Sequence, residues 1–191
     1  LRTGTRAPMR VLWLALDMYG ERVASRCARA FRELPRGAVS VVHRLARSRL
    51  ALLRPEMRGD LVRRVRDDGY GLLIVDTLRW AHTADELDQR EMHNVVAACD
   101  ELVSAGAAVL LSAHTPKNKG ASEEEPSLAW IRGASALGNA IHTAFVVEDI
   151  DPARRRSRVT CVKANDTRDW PPPFGFTVES GWYRHDDREE A

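Results

Sequence analysis

Tyr70-Gly-Leu-Leu-Ile-Val-Asp76 is the stretch on which the fold turns. It follows Gly69, a helix-stopping residue, and its four central residues are all apolar. A strand with one solvated face alternates apolar and polar side chains. A continuous apolar run is instead covered on both faces, as in a parallel sheet with helices on either side. Working outward, the stretch Pro55 to Asp68 spaces Leu61, Val62 and Val65 as an amphipathic helix does. Downstream, Leu87, Met92, Val95, Val96, Cys99, Leu102 and Val103 predict a long helix from Ala84 to Ser104, ended by Gly106. Ala107-Ala-Val-Leu-Leu-Ser112 is then a second buried strand that runs into Ala113-His114-Thr115.

The same alternation extends upstream. Arg10-Val-Leu-Trp-Leu-Ala-Leu16 reads as a strand closed by Asp17, followed by a helix to Phe31 that ends at the Pro35–Gly37 breaker. Val39 to Val42 is a further short strand. Strands alternating with helices predict an α/β fold whose mostly parallel sheet carries helices on both faces. After a polar loop from Pro116 to Ser127, the pattern changes. Ile141–Val147, Ser157–Val162 and Phe174–Val178 are shorter strands joined by charged turns, predicting a C-terminal antiparallel extension. Trp170-Pro-Pro-Pro-Phe174 reads as a stiff extended connector. Residues 1–182 are expected to form the core and 183–191 a charged, frayed tail.

Composition excludes several classes. With 44% hydrophobic and 29% charged residues, the 191-residue chain reads as globular and not disordered. No apolar run approaches the roughly 18–20 residues that span a bilayer, so no membrane role is expected. No export leader is evident, and Cys27, Cys99 and Cys161 show neither disulfide nor metal spacing. Both features predict a cytoplasmic location. A net charge of +2 does not announce a nucleic-acid binder. The arginines dense between Arg22 and Arg66 read either as solvated helix faces or as a subunit or polynucleotide contact.

Each long strand delivers a polar residue at its carboxyl end, where open α/β sheets bind ligands. Asp76 with Thr77 has the form of a Walker B element, whose carboxylate helps hold Mg²⁺ against nucleotide phosphates. On its own the pattern is weak, because an apolar strand ending in Asp occurs in many α/β proteins, where the carboxylate caps the next helix or turn. Asp17 reads as a helix cap or as an acid that orients water. His114 reads as a histidine hydrogen-bonded at a strand end or as a neutral sensor of a γ-phosphate.

Four segments in order carry a resemblance. Leu14-Ala-Leu-Asp-Met18 is similar to the strand end that bears the catalytic glutamate in DnaB-type hexameric helicases and their RecA relatives. Leu72-Leu-Ile-Val-Asp-Thr-Leu-Arg79, with Trp80-Ala-His82, resembles the Walker B segment of RepA-type plasmid helicases. Val109-Leu-Leu-Ser-Ala-His-Thr115 is similar to their sensor strand, and Ile131-Arg-Gly-Ala-Ser-Ala-Leu137 to their Arg-Gly-Ser-Ser segment. The resemblance spans roughly residues 8 to 178.

It implies a RecA-like ATPase core that uses ATP and Mg²⁺ in a homo-oligomeric, hexameric ring on single-stranded DNA. Within it, Asp76 and Thr77 serve the Mg-nucleotide, His114 the γ-phosphate and Asp17 the attacking water. Arg132 and Lys163 reach a neighbouring subunit's site, and Lys117 and Lys119 are candidate DNA phosphate contacts. Exposed lysines in a loop are, however, more often merely solubilising.

The sequence departs from that pattern in three places. It contains no Gly-x-x-x-x-Gly-Lys-Ser/Thr, the loop that cradles phosphates, so the first strand, this Walker A loop and its helix are expected upstream of Leu1. Asp17 is one methylene shorter than glutamate, and Asn165 stands where a second trans-acting arginine would be. These departures leave two other readings. One is a degenerate, non-catalytic RecA-like binding or assembly module. The other is a recombinase or clock-type RecA relative that hydrolyses ATP without unwinding.

Overall fold

Continuous apolar runs do build a parallel sheet here. The computed structural model describes residues 9–30, 39–44, 52–86, 88–115, 125–131, 134–179 and 182–186. Lys117, Lys119 and Arg132 lie outside them. The chain divides into two compact units, 1–114 and 115–191.

In the first unit the order is β1 (Arg10–Tyr19), α1 (Gly20–Ala30), β2 (Val39–Arg44), α2 (Pro55–Asp68), β3 (Tyr70–Asp76), α3 (Leu78–Ala81), α4 (Gln89–Ser104) and β4 (Ala108–Ser112). The sheet order is β2-β1-β3-β4, and every pairing is parallel. Period-two alternation sorts the strands' side chains onto two faces. Leu12, Leu14 and Leu16 of β1 join Leu73 and Val75 of β3 on one face. There they pack with Leu61 and Val65 of α2 and with Ala98, Cys99 and Leu102 of α4. Val109 and Leu111 of β4 pack against the same cluster. On the other face Trp13 and Ala15 meet Val23 and Cys27 of α1. Helices therefore pack on both faces, as the unbroken apolar strands require.

Local signals fix the ends. Pro55 opens α2, and Gly69 closes it at φ 68, a left-handed conformation in which glycine meets no steric penalty. The helix expected from Ala84 to Ser104 begins later. Asp88 caps α4 at Gln89, its carboxylate accepting from the backbone N–H groups of Arg90 (2.8 Å) and Glu91 (3.1 Å). The chain before it forms the separate turn α3 and a short irregular link.

The second unit holds the short helix α5 (Ala134–Ala140) and four antiparallel strands: β5 (Thr143–Asp151), β6 (Arg156–Ala164), β7 (Phe174–Glu179) and β8 (Trp182–Asp186). They lie in chain order. Its core is Trp130, Ala144, Val146 and Val162. The strand β8 is a departure from expectation. Part of the segment read as a frayed tail, as far as Asp186, pairs with β7, with Tyr183 opposite Val178 and His185 opposite Phe176. The charged residues that suggested a tail are compatible with an edge strand, which natural proteins often blunt with charge.

Candidate functional site

The parallel sheet brings three of the expected residues to one edge. Ala15 of β1, Asp76 of β3 and Ser112 of β4 are register partners across adjacent strands. Asp17 lies two residues beyond Ala15, and His114 two beyond Ser112. All three therefore stand at carboxyl ends of neighbouring strands, which lie about 4.8 Å apart, with Asp76 on the middle one. Asp17 and His114 are exposed and Asp76 is half-buried. An edge of this kind, with carboxylates and an imidazole open to solvent, can receive an anionic ligand and its counter-cation.

Thr77 differs from its neighbours. It occupies the N-cap position of α3, but its hydroxyl makes no cap hydrogen bond. The side chain is 2% exposed and Oγ1 has no hydrogen-bond partner among the described residues. The peptide bond between Asp76 and Thr77 is cis. His82, four residues beyond α3's start, is fully buried.

Among the described residues no group of three or more His, Cys, Asp or Glu side chains could hold a metal ion. Mg²⁺ keeps several waters and takes one or two carboxylates plus substrate phosphates; Asp76 is a half-buried carboxylate at the end of β3. The phosphate cradle that would complete such a site has no counterpart in the sequence.

Arg132 and Lys163 belong to the second unit. Lys163 is already engaged there: its Nζ donates to the carbonyl of Gly138 at 2.6 Å. That carbonyl lies in the last turn of α5, where backbone oxygens lack helical partners and attract cations. Lys163 thereby ties β6 to the helix that begins two residues after Arg132. Sequence reasoning missed this contact because the partner is a backbone oxygen 25 residues away. It also passed over Ser112, placed opposite Asp76; a polar residue closing an apolar strand was the available signal.

Among the described residues no helix is long and apolar enough to cross a membrane. A sequence profile described as an AAA domain matches residues 2–120. No curated protein matches the chain. Among solved structures it is similar to one of an ATPase domain, with a TM-score of 0.68 and 10% identity. That match covers 92% of this chain and 74% of the other. At that identity the likeness establishes a shared, RecA-like fold.

Proposed function

The chain belongs to the AAA domain family, and from that premise we propose that it forms most of the ATP-hydrolysing core of a ring motor of the RepA/DnaB type. The observation that carries the reading is the position of Asp17, Asp76 and His114 along the carboxyl edge of three adjacent strands. Bound Mg-ATP would supply a polarised γ-phosphoryl group. Asp76 would hold the metal through its carboxylate, with Thr77 serving the Mg-nucleotide beside it. Asp17 accepts a proton from the attacking water, while His114 reports the γ-phosphate to the segment that follows β4. Arg132, and Lys163 when released from Gly138, act on the neighbouring subunit of a hexamer. Lys117 and Lys119 contact the phosphates of single-stranded DNA in its channel. The reading requires a Walker A loop, which this sequence does not contain, from polypeptide upstream of Leu1.

The test is ATP turnover by the polypeptide that includes that upstream segment. Asp76→Asn should lower kcat by about a hundredfold or more while the protein still folds, since one electrostatic stabiliser of the transition state is commonly worth that much. Unchanged turnover would remove Asp76 from the site. A second reading is favoured by one observation, the absence of the phosphate loop from this sequence. It makes the chain a binding or assembly module of RecA-like fold. It predicts no nucleotide binding even when upstream sequence is restored. A RecA-like ATPase without helicase activity is separated from both by strand-displacement assays.

A further inference from the structure

Charge is unevenly distributed along this chain. Between Arg22 and Arg66 stand thirteen arginines, no lysine and only three carboxylates, Glu33, Glu56 and Asp60, an excess of ten positive charges. The whole chain carries +2, so the sequence outside that stretch is net acidic. The helices of the stretch differ in how these charges are balanced. α2 mixes arginines with acids: Arg58 pairs with Glu101 at 2.7 Å, Arg63 pairs with Asp60, and Asp67 and Asp68 follow Arg66. α1 has one carboxylate, Glu21. Among the described residues neither Arg22 nor Arg26 makes an ion pair.

α1 packs on β1 through Val23 and Cys27 and leaves Arg22 and Arg26 exposed. Four residues apart, the two stand about 6 Å apart along the axis on one face. Arg29 continues the row in sequence. Like charges at that spacing destabilise a helix. Arg22 also lies in the first turn, where the positive end of the helix favours anions over cations. A merely solvated face mixes both signs. Arg26 is held in place by one bond, its Nη1 donating to Sδ of Met18 at 3.1 Å. That leaves four of its five N–H donors for a ligand. Tyr19, at the end of β1 and one turn before Arg22, is 54% exposed. Among the described residues α1 itself exposes no large apolar side chain. It therefore lacks the apolar centre around which a stable protein interface is built.

We propose that the exposed face of α1, with Arg22, Arg26 and the adjoining Tyr19, is a binding site for a single-stranded polynucleotide, without sequence preference. A row of guanidinium groups follows the phosphates, each offering paired donors to their oxygens. An aromatic ring beside the row stacks on an unpaired base, which every base accepts because each has a π-face. The site is separate from the loops after β3 and β4, where Lys117 and Lys119 are proposed to meet DNA. It requires no ATP hydrolysis, so it holds for a motor and for a binding module of RecA-like fold alike.

Binding by the 191-residue chain, without nucleotide, tests the site. Fluorescence anisotropy of a labelled oligodeoxythymidylate is followed between about 50 and 200 mM salt. Arg22→Gln/Arg26→Gln should weaken binding about fivefold or more. It should also make the slope of log K against log salt shallower by about 1.4, since each neutralised phosphate of a single strand contributes about 0.7. Arg22→Lys/Arg26→Lys should keep the native slope. Tyr19→Ala should weaken binding with the slope unchanged, because stacking releases no counterions. Arg90→Gln/Arg168→Gln removes the same charge from two exposed positions elsewhere and should leave the slope unchanged. Equal effects of the two arginine-to-glutamine pairs overturn the proposal, since binding then follows net charge alone. So does a native chain that shows no salt-dependent binding. So does a loss confined to Lys117→Gln/Lys119→Gln, which restricts DNA to the loop. If Arg22→Gln/Arg26→Gln alters only the concentration dependence of sedimentation, α1 meets another copy of the chain and the proposal falls. With no ATP in the assay, its failure is distinguishable from failure of the motor reading.

Discussion

Thr77 carries a buried hydroxyl that finds no partner among the described residues, next to the carboxylate proposed to hold Mg²⁺. Such a group destabilises the ligand-free fold by leaving its desolvation uncompensated, at about 1–3 kcal/mol. Thr77→Val keeps the shape and removes the hydroxyl. It should raise the melting temperature of the chain, by roughly 2–4 °C for each kcal/mol recovered. In the complete motor it should raise KM for Mg-ATP. A fall in melting temperature would mean that the hydroxyl is satisfied within the protein. Cys99 gives a pH prediction. Burial, reinforced by the neighbouring Asp100 carboxylate, pushes its thiol from the ordinary 9.0 up to about 11. The folded state therefore prefers the protonated thiol. Its stabilising contribution is complete below pH 9, where the unfolded thiol is also protonated, and is lost as pH rises toward 11. Denaturant titrations between about pH 8 and 11 should show a steeper loss for the native chain than for Cys99→Ala. Parallel curves would sink the assignment.

At the scale of elements, α4 depends on its first turn. Asp88 accepts from two otherwise unpaired backbone donors, and Glu91 reaches back to accept from the Asp85 N–H at 2.7 Å. Asp88→Ala should cost about 1 kcal/mol of unfolding free energy, measured by urea titration. Asp88→Asn should recover most of it. The same turn shows where the sequence was legible and where it was not. The apolar period from Met92 to Val103 identified the helix, because most of those positions point at the sheet. Its start was misplaced at Ala84 because apolar periodicity does not fix where a helix begins; the cap at Asp88 does. The strands β1, β3 and β4 were readable as unbroken apolar runs, and with them the placement of Asp17, Asp76 and His114. β8 was not, because its charged residues resemble a frayed end and its order comes from pairing with β7. The tie from Lys163 to Gly138 was equally hidden, since a backbone acceptor leaves no side-chain signature.

At the scale of the whole molecule, the proposed motor divides its chemistry between subunits. Asp17 would serve the site of its own chain, and Arg132 that of a neighbour. That division makes a prediction which needs no knowledge of the interface geometry. In the polypeptide with its upstream segment, Asp17→Ala and Arg132→Ala should each abolish turnover in homogeneous rings. In randomly mixed rings, an Arg132→Ala subunit retains Asp17, and an Asp17→Ala neighbour supplies the arginine. With equal amounts of the two, the arrangement arises at about one interface in four of a cyclic assembly, so about a quarter of native activity should return. Recovery must require subunit exchange, so it should vanish when preformed rings are mixed under conditions that prevent dissociation. If mixing restores nothing while exchange is demonstrated, Arg132 acts within its own chain or not at all. The ring would then have to draw its trans-acting positive charge from another residue. Lys163 would become the first to test, by Lys163→Ala in the same mixture. Its contact with Gly138 must break before it can act on a neighbour, so nucleotide binding should loosen the end of α5. Amide exchange at Ile141, whose N–H donates to the Leu137 carbonyl at 2.9 Å, should then rise in the assembled, nucleotide-bound ring.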